Sequence, residues 1–328
     1  MQKKFTTRIT EMLDIQHPIL CGGMQWVSRA DFVAEVCNAG GIGFITAESF
    51  ETPEDLRKDI RKIRTLTDRN FGVNISMLPE SGVAERTVAF CNVVCEEGVR
   101  VVETAGRSPE PIMPILKSAG VKVIHKLTSV RHAETAQRLG VDAVTLVGFG
   151  SGGHVGMDDV VSFVLIPMAA SRLDIPVIAG GAICNGRGFL GALAMGAEAV
   201  LMGTAFFATK ESPVPPAIKE RVVQAGEMDT ALIMRSIYNP ARSIKNRLVE
   251  EVLDMEAKGT TLEEILTKVG GGRGRLAYDK GDSEMSAIAC GQVAGLINEI
   301  KPVRKVIDDI ISEAGELLDR LNAISQNS

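Results

Sequence analysis

The sequence has no Cys-x-x-Cys pair. Its six cysteines, Cys21, Cys37, Cys91, Cys95, Cys184 and Cys290, offer no zinc spacing, which argues against a structural metal or a disulfide framework. Cys91 and Cys95 fall on one helical face, and the set reads as reduced thiols of a cytoplasmic protein. Long hydrophobic runs are missing too. The longest, Val160–Ala170, is broken by Ser162 and Pro167 and falls far short of the ~20 residues of a membrane span. The opening stretch MQKKFTTRITEML has basic residues with no apolar run behind them, so no signal peptide is expected. There is no basic run: Lys+Arg total 36 against 41 Asp+Glu, and a formal charge of −5 argues against a nucleic-acid partner. Aromatics are scarce at 4%, with one Trp and two Tyr.

Hydrophobic residues, by contrast, make up 45% of the 328 residues, enough for a substantial core. The 33 glycines exceed the usual ~7% and imply many tight turns and close backbone approaches. Short apolar runs recur at Pro18–Gly22, Gly41–Thr46, Phe71–Ser76, Val99–Thr104, Val121–Lys126, Ala143–Gly148, Pro176–Ala179 and Ala199–Gly203. Their spacing of about 26 residues suits a strand plus a crossover helix. They are continuous rather than alternating, as parallel strands covered on both faces are. Amphipathic stretches lie between them: Ala30–Asn38, Pro53–Leu66 behind Thr52, Ser129–Leu139 and Asn185–Met195, three of them stopped by glycine. The pattern predicts an α/β fold, a (β/α)8 TIM barrel with a small C-terminal helical domain, ahead of an open doubly wound sheet.

The expected divisions are a barrel over residues 1–210, a helical domain over 211–300 covering the site, and a helix over 301–328 packing back on the barrel. Within the second, Ala217–Thr267 reads as helical, including the apolar stripe Ile233–Ile244. Gly270-Gly271-Gly272-Arg273-Gly274-Arg275 reads as a flexible loop, and Ser286–Ile300 as a further helix.

Function in such a barrel sits at the C-terminal ends of the strands. Gly180-Gly181 and Gly203-Thr204 follow the seventh and eighth runs, where backbone amides and helix N-termini hold phosphate. The plainer alternative is that these glycines only make tight turns. His154 ends a glycine-rich loop after the sixth run and could act as a general base or donor. His17 reads as structural and His132 as a solvated helix face. Of His125 and Lys126, only one can face the barrel interior. Asp158 and Asp159 are expected to cap the following helix. Gly148-x-Gly150-x-x-Gly153 matches the dinucleotide pattern but follows the wrong strand, so it is set aside.

Together, Gly22-Gly23-Met24-Gln25-Trp26, Asn38-Ala39-Gly40-Gly41, Phe71-Gly72-Val73-Asn74, Gly152-Gly153-His154, Gly180-Gly181, Met202-Gly203-Thr204, Met234-Arg235-Ser236 and Gly291-Gln292-Val293-Ala294-Gly295 resemble the nitronate monooxygenase (2-nitropropane dioxygenase) family. The resemblance implies an FMN cofactor. It places Gly23, Met24 and Gln25 along the isoalloxazine ring and Ser76 near it. Lys126 then lies at the N1–O2 edge, Gly180, Gly181, Gly203 and Thr204 around the phosphate, and Gly153 and Ala179 in the cofactor set. His154 becomes the active-site histidine on the substrate side.

The activity implied first is oxidation of alkyl nitronates with O2. The alternative is NAD(P)H:quinone reduction at the same FMN, and the third is enoyl-acyl-carrier-protein reduction. The stretch from His125 to Ala133 and the segment Met77-Leu78-Pro79, similar to a gating loop, lean toward the quinone reductase subgroup. Ser151-Gly152 stand where that subgroup has Cys-Ala. The partners expected are small molecules, with no nucleic acid and no membrane. A homodimer is one arrangement the sequence allows.

Overall fold

The computed structural model describes residues 3–77, 85–270 and 272–326. Leu78 and Pro79 of the segment similar to a gating loop, and Gly271, lie outside these residues. Eight parallel strands close into a barrel: β1 (Ile19–Cys21), β2 (Ile42–Thr46), β3 (Gly72–Met77), β4 (Val101–Gly106), β5 (Lys122–Leu127), β6 (Ala143–Val147), β8 (Val177–Gly180) and β9 (Ala199–Met202). All eight apolar runs of the sequence are barrel strands. The short β7 (Gly153–His154) leaves the barrel and joins β10 (Thr230–Ile233) and β11 (Ala241–Ile244) in a three-stranded antiparallel sheet.

The crossover helices start and stop where the sequence marks them. Thr52, Ser129 and Asn185 each accept a first-turn amide from their side chain, and Pro53 occupies the first turn of its helix. Gly40, Gly140 and Gly196 close helices at φ of 95°, 83° and 93°, a region costly for other residues.

The strand register sorts the inward-facing side chains into stacked layers from alternate strands. Ile42, Val101, Ala143 and Ala199 form the lowest layer, with Leu20, Ile124 and Ile178 above, all in one buried apolar cluster. Ile9 and Leu13 of the N-terminal helix Arg8–Leu13 join that cluster and plug the N-terminal end of the barrel. Polar residues enter only toward the C-terminal end.

The region after the barrel departs from the helical reading. Helices Pro216–Val223, Arg247–Ala257 and Leu262–Val269 are present, but the stripe Ile233–Ile244 is an antiparallel pair, β10 and β11, and not a helix. Met234 and Tyr238 in the connection sit at φ of 63° and 58°, which a helix does not allow. The Glu256 carboxylate fixes that turn by accepting the amides of Met234 and Ser236, each at 2.8 Å. Nor is Ser286–Ile300 a helix; it runs irregularly with one 3-10 turn, Gln292–Leu296. Gly291 and Gly295 pass so close to Gly150 and Glu227 that a Cβ would meet their backbone at 3.0 and 2.7 Å. Arg273, read as part of a flexible loop, starts the helix Arg273–Lys280.

Helix Val303–Gln326 lies against helices Gly186–Ala194 and Ala30–Asn38, burying Val303, Ile307, Ile310, Ile311 and Ala314 along one face. The Gly186 amide donates to Glu313 Oε2 at 2.7 Å. An anion is thereby fixed at the N-terminus of Gly186–Ala194, where the dipole favours it. Glu313→Ala should cost about 1 kcal/mol and lower Tm by roughly 2–4 °C in a thermal melt.

Candidate active site

Two layers of the barrel interior decide what the C-terminal mouth can hold. Phe44, Glu103, Thr145 and Leu201 share the third layer by register, and Asn74, Lys126, Gly22 and Gly180 the fourth. The fourth layer is thus lopsided. Two polar side chains stand on the β3–β5 side, and two glycines leave a hollow on the β1–β8 side. Gly180 has no slack for a methyl, since a Cβ would meet Val147 and Thr145 side chains at 3.1 and 3.3 Å. Lys126 is the inward member of its pair. His125 points outward, is buried, and places Nδ1 2.8 Å from the Thr104 hydroxyl.

Glu103 is the centre of the polar floor. Its Oε2 accepts from Asn74 Nδ2 at 2.6 Å, Lys126 Nζ at 3.0 Å and the Gly23 amide at 3.4 Å. Its side chain is 0% exposed, that of Lys126 21%. Above the floor, the Ser76 amide donates to Glu48 Oε1 at 2.7 Å and Gln25 Nε2 to the Glu48 carbonyl at 3.3 Å. Burial raises the Glu48 carboxyl above its ordinary range, and the Ser76 amide opposes this.

The ends of β6, β8 and β9 meet the segment 289–292. The Gln292 amide donates to the Gly150 carbonyl, and the Gly291 amide to Thr204 Oγ1, both at 3.0 Å. Gly181, at φ of 84°, touches the loop after β6 so closely that a Cβ would fall 2.6 Å from Ser151 Cβ. The His154 loop and both glycine turns therefore form one wall. Among the described residues, the amides of Gly181, Ala182, Gly203 and Thr204 donate to no other group. Ser151 is 5% exposed and its Oγ has no partner. At Gly203 the nearest atom to a Cβ is Met24 Sδ at 4.0 Å, so that side of the hollow is open. Unengaged amides beside a buried hydroxyl and an open glycine turn suit a phosphate.

The expected helix N-terminus after the seventh run contributes differently. The Gly186 and Gly188 amides of Gly186–Ala194 are taken by Glu313 and by Asn185 Oδ1, so this N-terminus is largely closed to a ligand. The Ala179 side chain packs outward among the helices, leaving only its backbone near the hollow.

His154 pairs with Ala241 and Gly153 with Arg242 of β11. The imidazole is exposed to solvent yet closely surrounded, and burial lowers its pKa below the usual 6.5. Asp158 and Asp159 do not cap the next helix. Its N-cap is Val161, and Asp159 instead accepts from Arg235 Nη1 at 2.7 Å, tying the connection between β10 and β11 to the His154 loop. Arg242 lies over the Phe149 ring at 4.7 Å and donates to the Phe149 carbonyl, bracing the same loop.

Glu103, Glu48 and Ser151 were not singled out as site residues by the sequence. The one signal for Glu103 is an acidic residue inside the apolar run Val99–Thr104.

His125 gives the fold a pH dependence. Burial, helped by the Lys126 charge and opposed by Thr104, pushes its imidazole from 6.5 down to about 4. Between those values the unfolded chain binds the proton and the folded chain does not. The stabilisation is complete above pH 6.5 and lost as pH falls toward about 4. It amounts to roughly 3 kcal/mol in all. The urea midpoint should drop across that window, and His125→Asn should flatten the slope.

Comparison with known proteins follows the same lines. The nitronate monooxygenase family profile matches residues 6–313. FabK from Thermotoga maritima is 39% identical with a TM-score of 0.91, covering 97% of this chain and 99% of that one. The (3aS,4S,5R,7aS)-5-hydroxy-7a-methyl-1-oxo-octahydro-1H-indene-4-carboxyl-CoA dehydrogenase of Rhodococcus jostii is 31% identical over 97% of this chain and 98% of its own. A probable nitronate monooxygenase of Staphylococcus aureus is 29% identical over 95% and 98%. Among the described residues no helix is long and apolar enough to cross a membrane. A closed barrel with a half-glycine, half-polar floor, matched over nearly its whole length, makes this chain an oxidoreductase of the nitronate monooxygenase family.

Proposed function

We propose that the chain binds FMN in the hollow above Glu103 and Lys126 and uses it to oxidise or reduce an acyl thioester, with NAD(P)H as the partner redox couple. The observation that carries the flavin is the fourth layer: Gly22 and Gly180 project no side chain opposite Asn74 and Lys126, so a flat ring could lie against their backbone. Next to it, the amides of Gly181, Ala182, Gly203 and Thr204 and the hydroxyl of Ser151 stand without partners, as a phosphate site requires. Gly23, Met24, Gln25 and Ser76 would line the ring, with Gly153 and the Ala179 backbone beside it. FMN supplies hydride acceptance and donation when bound.

The chain's own residues do the rest. Lys126 presents a cation to the hollow, which stabilises negative charge developing above it. His154, whose pKa lies below the usual 6.5, can donate a hydrogen bond to a carbonyl or nitro oxygen or take up a proton there. Support for a thioester is the likeness to the Rhodococcus carboxyl-CoA dehydrogenase, 31% identical over 97% of the chain.

Oxidation of alkyl nitronates with O2 is the second reading, favoured by the family profile and the Staphylococcus relative. NAD(P)H:quinone reduction at the same site is a separate alternative, in which NAD(P)H bleaches the flavin and a quinone, not an enoyl-CoA, restores it. The test is anaerobic. Purified protein should show flavin absorption that NADH or NADPH bleaches and an enoyl-CoA restores. Bleaching by a nitronate and not by NAD(P)H would select the second reading, and colourless protein would overturn both.

A further inference from the structure

We infer that Glu103 sets how readily the bound flavin is reduced, its own buried charge offsetting the charge that Lys126 offers to the hollow; this rests on the flavin reading above. The carboxylate is fully buried in the third layer between Phe44 and Thr145, a place that an apolar side chain would fill at lower cost. Packing therefore does not explain it. Its Oε2 instead gathers donors from three separate strand ends: Gly23 after β1, Asn74 on β3 and Lys126 on β5, at 3.4, 2.6 and 3.0 Å. Its Oε1 is buried without a partner among the described residues.

Two consequences follow for the hollow. The Lys126 ammonium is held in one place, and the Gly23 backbone is pinned to the floor. The positive charge that Lys126 offers is also partly cancelled from below. In a site of low dielectric this cancellation is felt strongly. A charge at the floor of the hollow would act more on the reduced, anionic form of a bound flavin than on its oxidised form. Glu103 therefore holds the reduction midpoint below the value that an unpaired lysine would give.

The experiment is a reference-dye redox titration of the flavin-loaded protein. Glu103→Gln keeps the volume and an acceptor for Lys126 but removes the charge. Its preference for reduced over oxidised flavin should rise at least tenfold, which is about 30 mV for a two-electron couple. Glu103→Asp, which keeps the charge, should stay near the parent. Lys126→Met should move the midpoint down, and adding Glu103→Gln to it should bring it back up. That last comparison also serves if Glu103→Gln alone does not fold, because the double variant leaves neither charge buried and unpaired. A flavin-loaded Glu103→Gln with an unchanged or lower midpoint overturns the role of Glu103 and leaves the cofactor reading standing. Equal midpoints in Lys126→Met and the double variant do the same. Parent protein without flavin overturns the cofactor reading and this inference together.

Discussion

Lys126→Met is expected to destabilise the fold by about 3 kcal/mol, because it strips the cation from a carboxylate that cannot reach water. Glu103 keeps Asn74 and the Gly23 amide, so the loss is that of one partner rather than of the whole network. The effect exceeds that of an exposed ion pair, typically below about 1 kcal/mol, such as Lys258–Asp254. In a thermal melt Tm should fall by roughly 6–12 °C. Adding Glu103→Gln should recover part of that drop, since no unpaired charge is then left inside the barrel. If Lys126→Met melts like the parent protein, the ion pair is not structural and Glu103 is held adequately by its neutral partners. Turnover should also fall, because the positive charge facing the hollow is gone.

His154→Ala is expected to lower kcat by roughly a hundredfold or more while flavin stays bound. The two effects separate because His154 lies on β7, outside the barrel, whereas the open amides lie at the ends of β8 and β9. The check is steady-state turnover alongside the flavin-to-protein absorbance ratio. Unchanged turnover removes the histidine from the reaction. Loss of flavin would instead make it a structural prop of the loop that also carries Ser151.

The sequence alone determined the barrel. Continuous apolar runs at even spacing, helices opened by Thr52, Ser129 and Asn185, and glycines at helix ends are local signals, and each acts within a few residues. They also placed His154 and both glycine turns at one end of the barrel. The region after it was misread for a physical reason. Strands as short as Thr230–Ile233 and Ala241–Ile244 are too brief to show alternation, and the turn between them is fixed by Glu256, distant in sequence.

What only the tertiary structure decided is the floor. Gly23, Asn74, Glu103 and Lys126 sit on four different segments, and nothing local links them. The stagger of a closed barrel puts Glu103 one layer below Asn74 and Lys126, and strand parity chooses Lys126 over His125 as the inward residue. Glu313 closing the N-terminus of Gly186–Ala194 belongs to the same class. Such contacts depend on where whole elements pack, and side-chain periodicity within one element carries no record of that.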